Sequence, residues 1–199
     1  ADSEENDGYT KKQLAIFKSV ARRPEFAKTL HHIACSAAVL ICRDSRLDLV
    51  RIGIALYGLY SSKRIHLPLK PALTWKTRII QIKKLPKGAY IGYGLSFRTK
   101  RPTTLAVLPV GYADGYDRSL SNKAEVLVSG RRCRVLGRVC MNLIMVDVTG
   151  LPACVGQEVV LIGRQGTEQI TADELALKAE TINYEIISRI NPLIRRIIV

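Results

Sequence analysis

Apolar residues along the first third of the chain alternate between helical and strand-like spacing. Residues 10–23 carry apolar side chains at helical spacing, and Pro24 ends this predicted helix. Short apolar segments at 30–34 and 47–51 predict two buried strands, with a helical turn of small residues at 36–40 between them. Such alternation is typical of βα units in a parallel sheet.

The pattern changes after Gly58. Residues 61–64 read as a linker, and Pro68 and Pro71 flank the entry to a new region. Short segments bounded by Gly, Pro, Asn or Asp then predict strands at 73–82, 103–110, 125–128, 133–136, 143–148 and 158–162. This series indicates an antiparallel barrel or sandwich.

The last thirty residues predict mostly helix. A capping-box sequence at 171–174 begins a predicted helix that runs to Ala179, and a further helical turn follows Thr181. Residues 193–199 predict a closing strand. We therefore expect two domains, residues 1–62 with βα units and residues 63–199 mainly β.

Length and composition set broad limits on the protein. With 199 residues, 47% of them hydrophobic, the chain can bury a real core, and its sequence contains no apolar run long enough to span a bilayer. The five cysteines have no CxxC spacing, which argues against a disulfide framework and a zinc site and favours a reducing cytoplasm. The acidic start is unlike a secretory signal, and the missing initiator methionine suggests a fragment or a processed product.

The formal net charge of +14 raises the question of nucleic-acid binding. Basic residues cluster at 83–84, 98–101, 131–134 and 195–196, but aromatic residues make up only 6% of the chain, so stacking platforms are scarce. A solvated basic surface that attracts anionic ligands is the better interpretation, and no nucleic-acid partner is expected. A non-catalytic basic β-barrel that binds nucleic acid is kept as the alternative, and steeply salt-dependent binding to single strands would support it.

The most informative segment is VGYADGY at 110–116, where a buried strand runs into a turn that carries Tyr112. A phenol held on a rigid turn can donate or accept a proton reproducibly. In isolation, this motif is better explained by a packed tyrosine after a strand.

Four other segments change that interpretation: HIACSAA at 32–38, VRIGIALYG at 50–58, GRVCMN at 137–142 and TINYE at 181–185. Together and in this order, the set resembles the alanine racemase family of pyridoxal-phosphate enzymes over the whole chain. The resemblance implies that residues 1–62 form the last βα units of a (β/α)8 barrel that binds the cofactor. Residues 63–199 would then form the antiparallel β domain that carries the catalytic tyrosine.

The resemblance also implies a binding site for pyridoxal 5'-phosphate. Ser36, Gly53, Ile54 and Tyr184 match the family positions that hold the cofactor phosphate, and Arg51 matches the arginine that bonds its pyridine nitrogen. From the residues alone, Ser36 could simply cap a helix and Gly53 make a turn. Likewise, Arg51 could form an ordinary salt bridge with Asp44 or Asp48.

Catalytic and substrate-binding roles follow in the same way. The resemblance assigns proton transfer on one face of the substrate to Tyr112. It assigns binding of the substrate carboxylate to the backbone N–H of Met141. It implies that the enzyme interconverts L- and D-alanine and that the D-alanine is used for peptidoglycan synthesis. It also implies a homodimer with shared active sites. Tyr57, Tyr93 and Tyr116 would line or support the pocket, or be ordinary half-buried rings.

The sequence departs from the family pattern in informative places. The lysine that carries the cofactor has no counterpart, so the N-terminal barrel half is expected to be missing and the chain alone to be inactive. Asn142 stands where aspartate is usual, Cys35 where asparagine is common, and Ile52 where proline is common. The serine racemase branch of glycopeptide-resistant bacteria therefore remains an alternative, as does a fragment that serves only for dimerisation.

Overall fold

A computed structural model of the chain describes residues 7–61 and 67–199, and it separates into two compact units, residues 1–72 and 73–199. Most of the linker predicted at 61–64 lies outside the described residues. We refer to the two units as the first unit and the second unit.

The first unit is built from short helices. Helix α1 spans Asp7–Ala21 and helix α2 spans Ser36–Ile41, which confirms the predicted helix at 10–23 and the helical turn at 36–40. Three 3-10 turns, Pro24–Phe26, Arg43–Ser45 and Ile54–Tyr57, complete its regular structure among the described residues.

The prediction of two strands in the first unit is wrong. Neither 30–34 nor 47–51 forms a strand; two backbone hydrogen bonds join them, from Asp48 N to His31 O at 3.2 Å and from Arg51 N to Ala34 O at 3.0 Å. A parallel ladder needs evenly spaced successive bonds, usually with further strands on both sides. The apolar pattern therefore identified two adjacent extended segments but overestimated their pairing.

The second unit is mainly antiparallel sheet. Its strands are β1 (Trp75–Arg78), β2 (Gln81–Leu85), β3 (Tyr90–Ile91), β4 (Phe97–Arg98), β5 (Thr103–Leu108), β6 (Glu125–Val128), β7 (Arg131–Arg134), β8 (Ile144–Asp147), β9 (Glu158–Gln165) and β10 (Glu168–Ile170). One sheet has the order β1-β9-β6-β7, with β10 also paired to β9. A second has the order β2-β5-β8, and β3 pairs with β4.

Most of the strands predicted in the second unit are confirmed, as β5, β6, β8 and β9. The single strand predicted at 73–82 is instead two strands, because adjacent residues bond to different sheets. Ile79 N donates to Gln157 O, whereas Ile80 N donates to Val107 O, both at 3.0 Å. The strand predicted at 133–136 lies two residues earlier, at Arg131–Arg134, since Val128 pairs with Arg131 across a tight turn.

Two helices follow the sheets. Helix α3 spans Ala172–Ala179 and begins where the Thr171 hydroxyl accepts a hydrogen bond from Glu174 N at 3.0 Å. Helix α4 spans Asn183–Ser188, which confirms the predicted helical turn. The closing strand predicted at 193–199 is wrong: these residues form no strand, and the apolar side chains of Leu193, Ile198 and Val199 are almost fully exposed.

The core of the second unit consists of the inward-facing residues of β5, β6, β8 and β9, many of which are completely buried. Trp75 and Tyr116 pack at its edge with ring centroids 6.0 Å apart. Among the described residues, no helix combines the length and the apolar character that a membrane crossing requires. The strands of this core end at the loops that carry the candidate site.

Candidate active site

A cleft of about 550 Å³ opens on the surface of the second unit. Its walls come from three segments: the turn around Tyr93, the turns around Tyr112 and Arg118, and the loop from Arg138 to Leu143. Two phenols, two guanidiniums and a loop with free backbone donors therefore face one solvent-accessible space.

Tyr112 lies on a 3-10 turn, Tyr112–Asp114, at the end of β5, and 44% of its surface is exposed. The turn is tied to the opposite wall by two backbone hydrogen bonds, from Tyr112 N to Cys140 O at 3.0 Å and from Ala113 N to Met141 O at 2.9 Å. The Asp114 carboxylate accepts from Gly111 N at 2.9 Å and closes the turn. The structure thus brings the predicted residues Tyr112 and Met141 into one cleft.

Gly111 is required by this close approach. A Cβ atom at residue 111 would lie 2.2 Å from Cys140 O and 2.4 Å from Met141 O, distances that no side chain tolerates. The backbone there is extended, so space rather than an unusual dihedral angle selects glycine.

Met141 presents its backbone to the cleft. Its side chain is 56% exposed, and its carbonyl is occupied by Ala113 N. Within the described part of the chain, the N–H groups of Met141 and Asn142 have no hydrogen-bond acceptor. Free backbone donors on a rigid loop are suited to binding a carboxylate.

Tyr93 is the second phenol of the cleft, and it is more exposed than Tyr112, at 73%. It begins the turn Tyr93–Leu95, between β3 and β4. The sequence signal for it was the Gly-Tyr-Gly at 92–94, which resembles the Gly-Tyr at 111–112. Because β3 and β4 have only two residues each, their pattern was too short to be recognised, and Tyr93 received only a supporting role.

Neither of the other two phenols considered lines this cleft: Tyr57 is exposed in the first unit, and Tyr116 lies in the core of the second. The Tyr116 ring is completely buried, and burial raises the pKa of its hydroxyl well above the ordinary value, with smaller contributions from Glu174 and Glu125. Its hydroxyl has no hydrogen-bond partner among the described residues. Tyr116 supports the turn from the core and stays protonated at neutral pH.

The first unit brings together Ser36, Gly53 and Ile54. Ser36 is the first residue of α2 and is 3% exposed, and its hydroxyl accepts a hydrogen bond from Gly53 N at 3.0 Å. Ile54 is buried and starts the next 3-10 turn, and its N–H has no acceptor among the described residues. Apart from its two chain neighbours, no described residue has an atom within 4 Å of the place where a side chain on Gly53 would begin. Donors beside open space fit a phosphate group.

Arg51 does not form either of the predicted salt bridges. Asp48 is instead held by His31, whose N–H donates to its carboxylate at 2.9 Å. Arg51 is exposed, and among the described residues its guanidinium makes one long hydrogen bond, to Ile33 O at 3.4 Å. Most of its donors remain available for a ligand. Tyr184 lies in the second unit on α4 and is half-buried.

Several charged groups elsewhere in the second unit are paired with each other. Arg132, from the most basic segment, donates to Glu125, Glu168 and Glu174. The cleft arginines Arg118 and Arg138 form no ion pair among the described residues. Positive charge that is not neutralised locally is therefore present at the cleft.

Comparison with known proteins follows the same division of the chain. Residues 72–198 match the family model of the alanine racemase C-terminal domain, and residues 1–61 match that of the alanine racemase N-terminal domain. The matches define a two-domain protein in which a barrel domain precedes a β domain. The chain belongs to the alanine racemase family.

Individual relatives agree. Over 166 residues, the chain is 55% identical to the alanine racemase of Methylacidiphilum infernorum, an alignment that covers 83% of the chain and 43% of the relative. Its structure is similar to alanine racemase from Bacillus anthracis with bound L-Ala-P, with a TM-score of 0.83 and 40% identity over 96% of this chain and 50% of the other. It is also similar to an alanine racemase from Bartonella henselae with covalently bound pyridoxal phosphate. That comparison gives a TM-score of 0.79 and 34% identity, and it covers 92% of this chain and 50% of the other. The chain spans about half the length of the curated relatives it matches.

Proposed function

We propose that this chain forms part of an amino acid racemase that interconverts L- and D-alanine with pyridoxal 5'-phosphate, its D-alanine serving peptidoglycan synthesis. Family membership supports the reaction class. The observation that carries the proposal is the cleft, where two exposed phenols and the free N–H of Met141 face the same space. Racemisation requires such a pairing of a proton-transfer group with a carboxylate anchor.

The first unit supplies donors for the cofactor. Bound pyridoxal phosphate would acidify the α-proton of the amino acid by withdrawing electrons from the α-carbon. Ser36 offers a hydroxyl and Ile54 a backbone N–H suited to its phosphate, and Gly53 leaves open space beside them. Tyr184 is proposed as a fourth phosphate ligand from the resemblance. The Arg51 guanidinium can only donate, so it would keep a ring nitrogen unprotonated.

A cleft phenol is proposed to move the α-proton on one face of the substrate. Tyr112 is the residue that the resemblance indicates. Tyr93 is the second candidate, because it is more exposed and the Arg138 guanidinium approaches its turn: a Cβ on Gly94 would lie 2.8 Å from that group.

The opposite face requires a lysine that this chain does not supply in the family's sequence context. We propose that the lysine belongs to a further barrel segment and that two copies assemble with shared active sites. In this arrangement, the cleft of one subunit serves the cofactor held by its partner. The chain alone is then expected to be inactive.

The experiment compares Tyr112→Phe with Tyr93→Phe in an enzyme assembled from this chain and a lysine-bearing barrel segment. General acid–base catalysis contributes about 100- to 10,000-fold, so the variant that removes the base should lose that much in kcat. The other variant should lose less than about tenfold, since it changes only packing. Wild-type racemisation by both variants would contradict the proposal.

Serine is the second substrate to consider, because Asn142 lines the cleft with a neutral carboxamide that can hydrogen-bond a hydroxyl. Comparing kcat/KM for L-alanine and L-serine, with Asn142→Asp as the matched variant, separates the two branches. A preference for serine that Asn142→Asp abolishes would identify the serine branch. A preference for alanine in both proteins would exclude it.

A further inference from the structure

The cleft walls are joined in two different ways. We use "Tyr93 turn" for residues 92–96 and "Met141 loop" for residues 137–143. The turn that carries Tyr112 bonds directly to the Met141 loop through two backbone hydrogen bonds. Among the described residues, no hydrogen bond joins the Tyr93 turn directly to the Met141 loop. The position of Tyr93 must therefore be fixed by something else.

Asn122 provides the polar link between the two segments. Its carboxamide oxygen accepts from Gly137 N at 2.7 Å, at the start of the Met141 loop. Its carboxamide nitrogen donates to Ser96 O at 3.2 Å, at the end of the Tyr93 turn. One half-buried side chain thus bonds both segments, and each bond uses a different end of the amide.

The neighbouring residue reinforces the link. The Ser121 hydroxyl accepts from Val139 N at 3.0 Å and donates to Arg118 O. The Met141 loop is therefore held at two of its backbone N–H groups by consecutive side chains. Both bonds lie close to the cleft that Arg118 and Val139 line.

The backbones that Asn122 joins are also in direct contact. A Cβ on Gly92 would lie 2.9 Å from Arg138 N, and one on Gly137 would lie 2.8 Å from Ile91 O. Such close contact tolerates little sliding, but it has no directional bond of its own. The two hydrogen bonds of the Asn122 side chain are the directional bonds that fix one segment relative to the other.

Asn122 adopts a left-handed backbone conformation, with a φ of +60°. Asparagine enters this region more readily than most residues other than glycine. The same conformation makes Asn122→Gly an informative variant, because glycine keeps the backbone without strain and removes only the carboxamide.

We propose that Asn122 is a positioning residue that sets the distance between the Tyr93 hydroxyl and the Met141 loop. The catalytic part of this inference rests on the proposed function, since it assumes that substrate occupies the cleft and that Tyr93 is the phenol that moves the α-proton. Asn122 acts through Tyr93 and the Met141 loop and touches no reacting atom. Its removal should loosen one wall of the cleft while the Tyr112 wall stays in place.

The structural part is tested by amide hydrogen exchange in the 199-residue chain. In Asn122→Gly, the Gly137 N–H loses its acceptor and should exchange about tenfold faster or more, whereas the Tyr112 N–H should keep its protection. Asn122→Asp keeps the acceptor for Gly137 but cannot donate to Ser96, so Gly137 should stay protected. Unchanged Gly137 exchange in Asn122→Gly would overturn the link, whatever the activity of the enzyme.

The catalytic part is tested by a double-mutant cycle in the assembled enzyme. Asn122→Gly should lower kcat by about 10- to 100-fold, as small misplacements of catalytic groups do. In a Tyr93→Phe background, the same change should have little further effect. An equal loss in both backgrounds would show that Asn122 does not act through Tyr93, and an inactive wild type would count against the proposed function alone.

Ser129→Gly is the matched control. Ser129 also has a positive φ, +52°, and lies at the turn between β6 and β7, outside the residues that line the cleft. Its substitution should change neither Gly137 exchange nor kcat. A comparable loss in Ser129→Gly would mean that any glycine at such a turn disturbs the unit, and it would overturn the specific role of Asn122.

Discussion

The two units hold their candidate site residues by different means. In the second unit, antiparallel strands place Tyr112 and Met141, and backbone hydrogen bonds join their loops directly. In the first unit, Ser36 and Gly53 are joined by one side-chain bond between segments that form no strands among the described residues. The geometry of the cleft is therefore fixed by many backbone hydrogen bonds, whereas the proposed phosphate site depends on a few hydrogen bonds.

The largest effect should come from Gly111→Ala in the second unit. A Cβ there collides with two carbonyls of the opposite wall, so the Tyr112 turn must move away from the Met141 loop. We expect a loss of about 2–3 kcal/mol in unfolding free energy, as overpacking typically causes. Urea unfolding of the chain would measure it.

Gly156→Ala provides the control for Gly111→Ala. Gly156 has a φ of +86° but no atom within 4 Å of the added Cβ, so its substitution carries only the backbone cost of about 1–2 kcal/mol. If Gly111→Ala were no more destabilising than Gly156→Ala, the direct contact between the two cleft walls would not matter as described.

A smaller effect is expected from Ser36→Ala in the first unit. Removing the buried hydroxyl leaves Gly53 N without its acceptor, which should cost about 1 kcal/mol and speed exchange of the Gly53 amide. Ser45→Ala removes another buried hydroxyl, which donates to Cys42 O at 2.7 Å, and should leave Gly53 exchange unchanged. Faster Gly53 exchange in both variants would show that the first unit lacks a locally specific site.

The smallest effect concerns the pH dependence of the second unit. Burial alone would raise the pKa of Glu174, but hydrogen bonds and charge from Arg132 and Lys178 hold it below its ordinary value of 4.5. A carboxyl group whose pKa is lower in the folded state stabilises the fold at pH values above its unfolded-state pKa. This contribution is lost as the pH falls through the folded-state pKa.

Glu174→Gln should therefore lower the unfolding free energy at pH 7 by about 0.5–1 kcal/mol, since the ion pairs are partly exposed. The variant should also lose less stability than the wild type below pH 4.5. Denaturant unfolding at pH 7 and pH 3.5 measures both differences. Equal acid sensitivity in the two proteins would mean that other carboxylates dominate.

Sequence alone predicted the elements with strong local signals. Strand β6 and the Thr171 cap were predicted correctly because a short apolar segment bounded by turn residues and a capping sequence are local signals. The tail at 193–199 was predicted as a strand because it is apolar, but a strand also needs a partner, which the local pattern does not reveal.

The candidate site was only partly predictable for the same reason. Family resemblance pointed to Tyr112, Met141 and the phosphate-site residues, and the structure brings Tyr112 and Met141 to one cleft. Tyr93 and the link through Asn122 depend on contacts between segments far apart in the chain, from Ser96 to Gly137. No periodicity in the sequence encodes those contacts.

The most direct test of the racemase account is α-proton exchange with deuterated solvent in the assembled enzyme, followed separately from D- and L-alanine. The wild type should exchange both enantiomers, because one group acts on each face. Replacing the cleft phenol that acts as base, Tyr112 or Tyr93, should stop racemisation while one enantiomer still exchanges. If both phenylalanine variants exchange and racemise both enantiomers at the wild-type rate, the cleft does not supply the base.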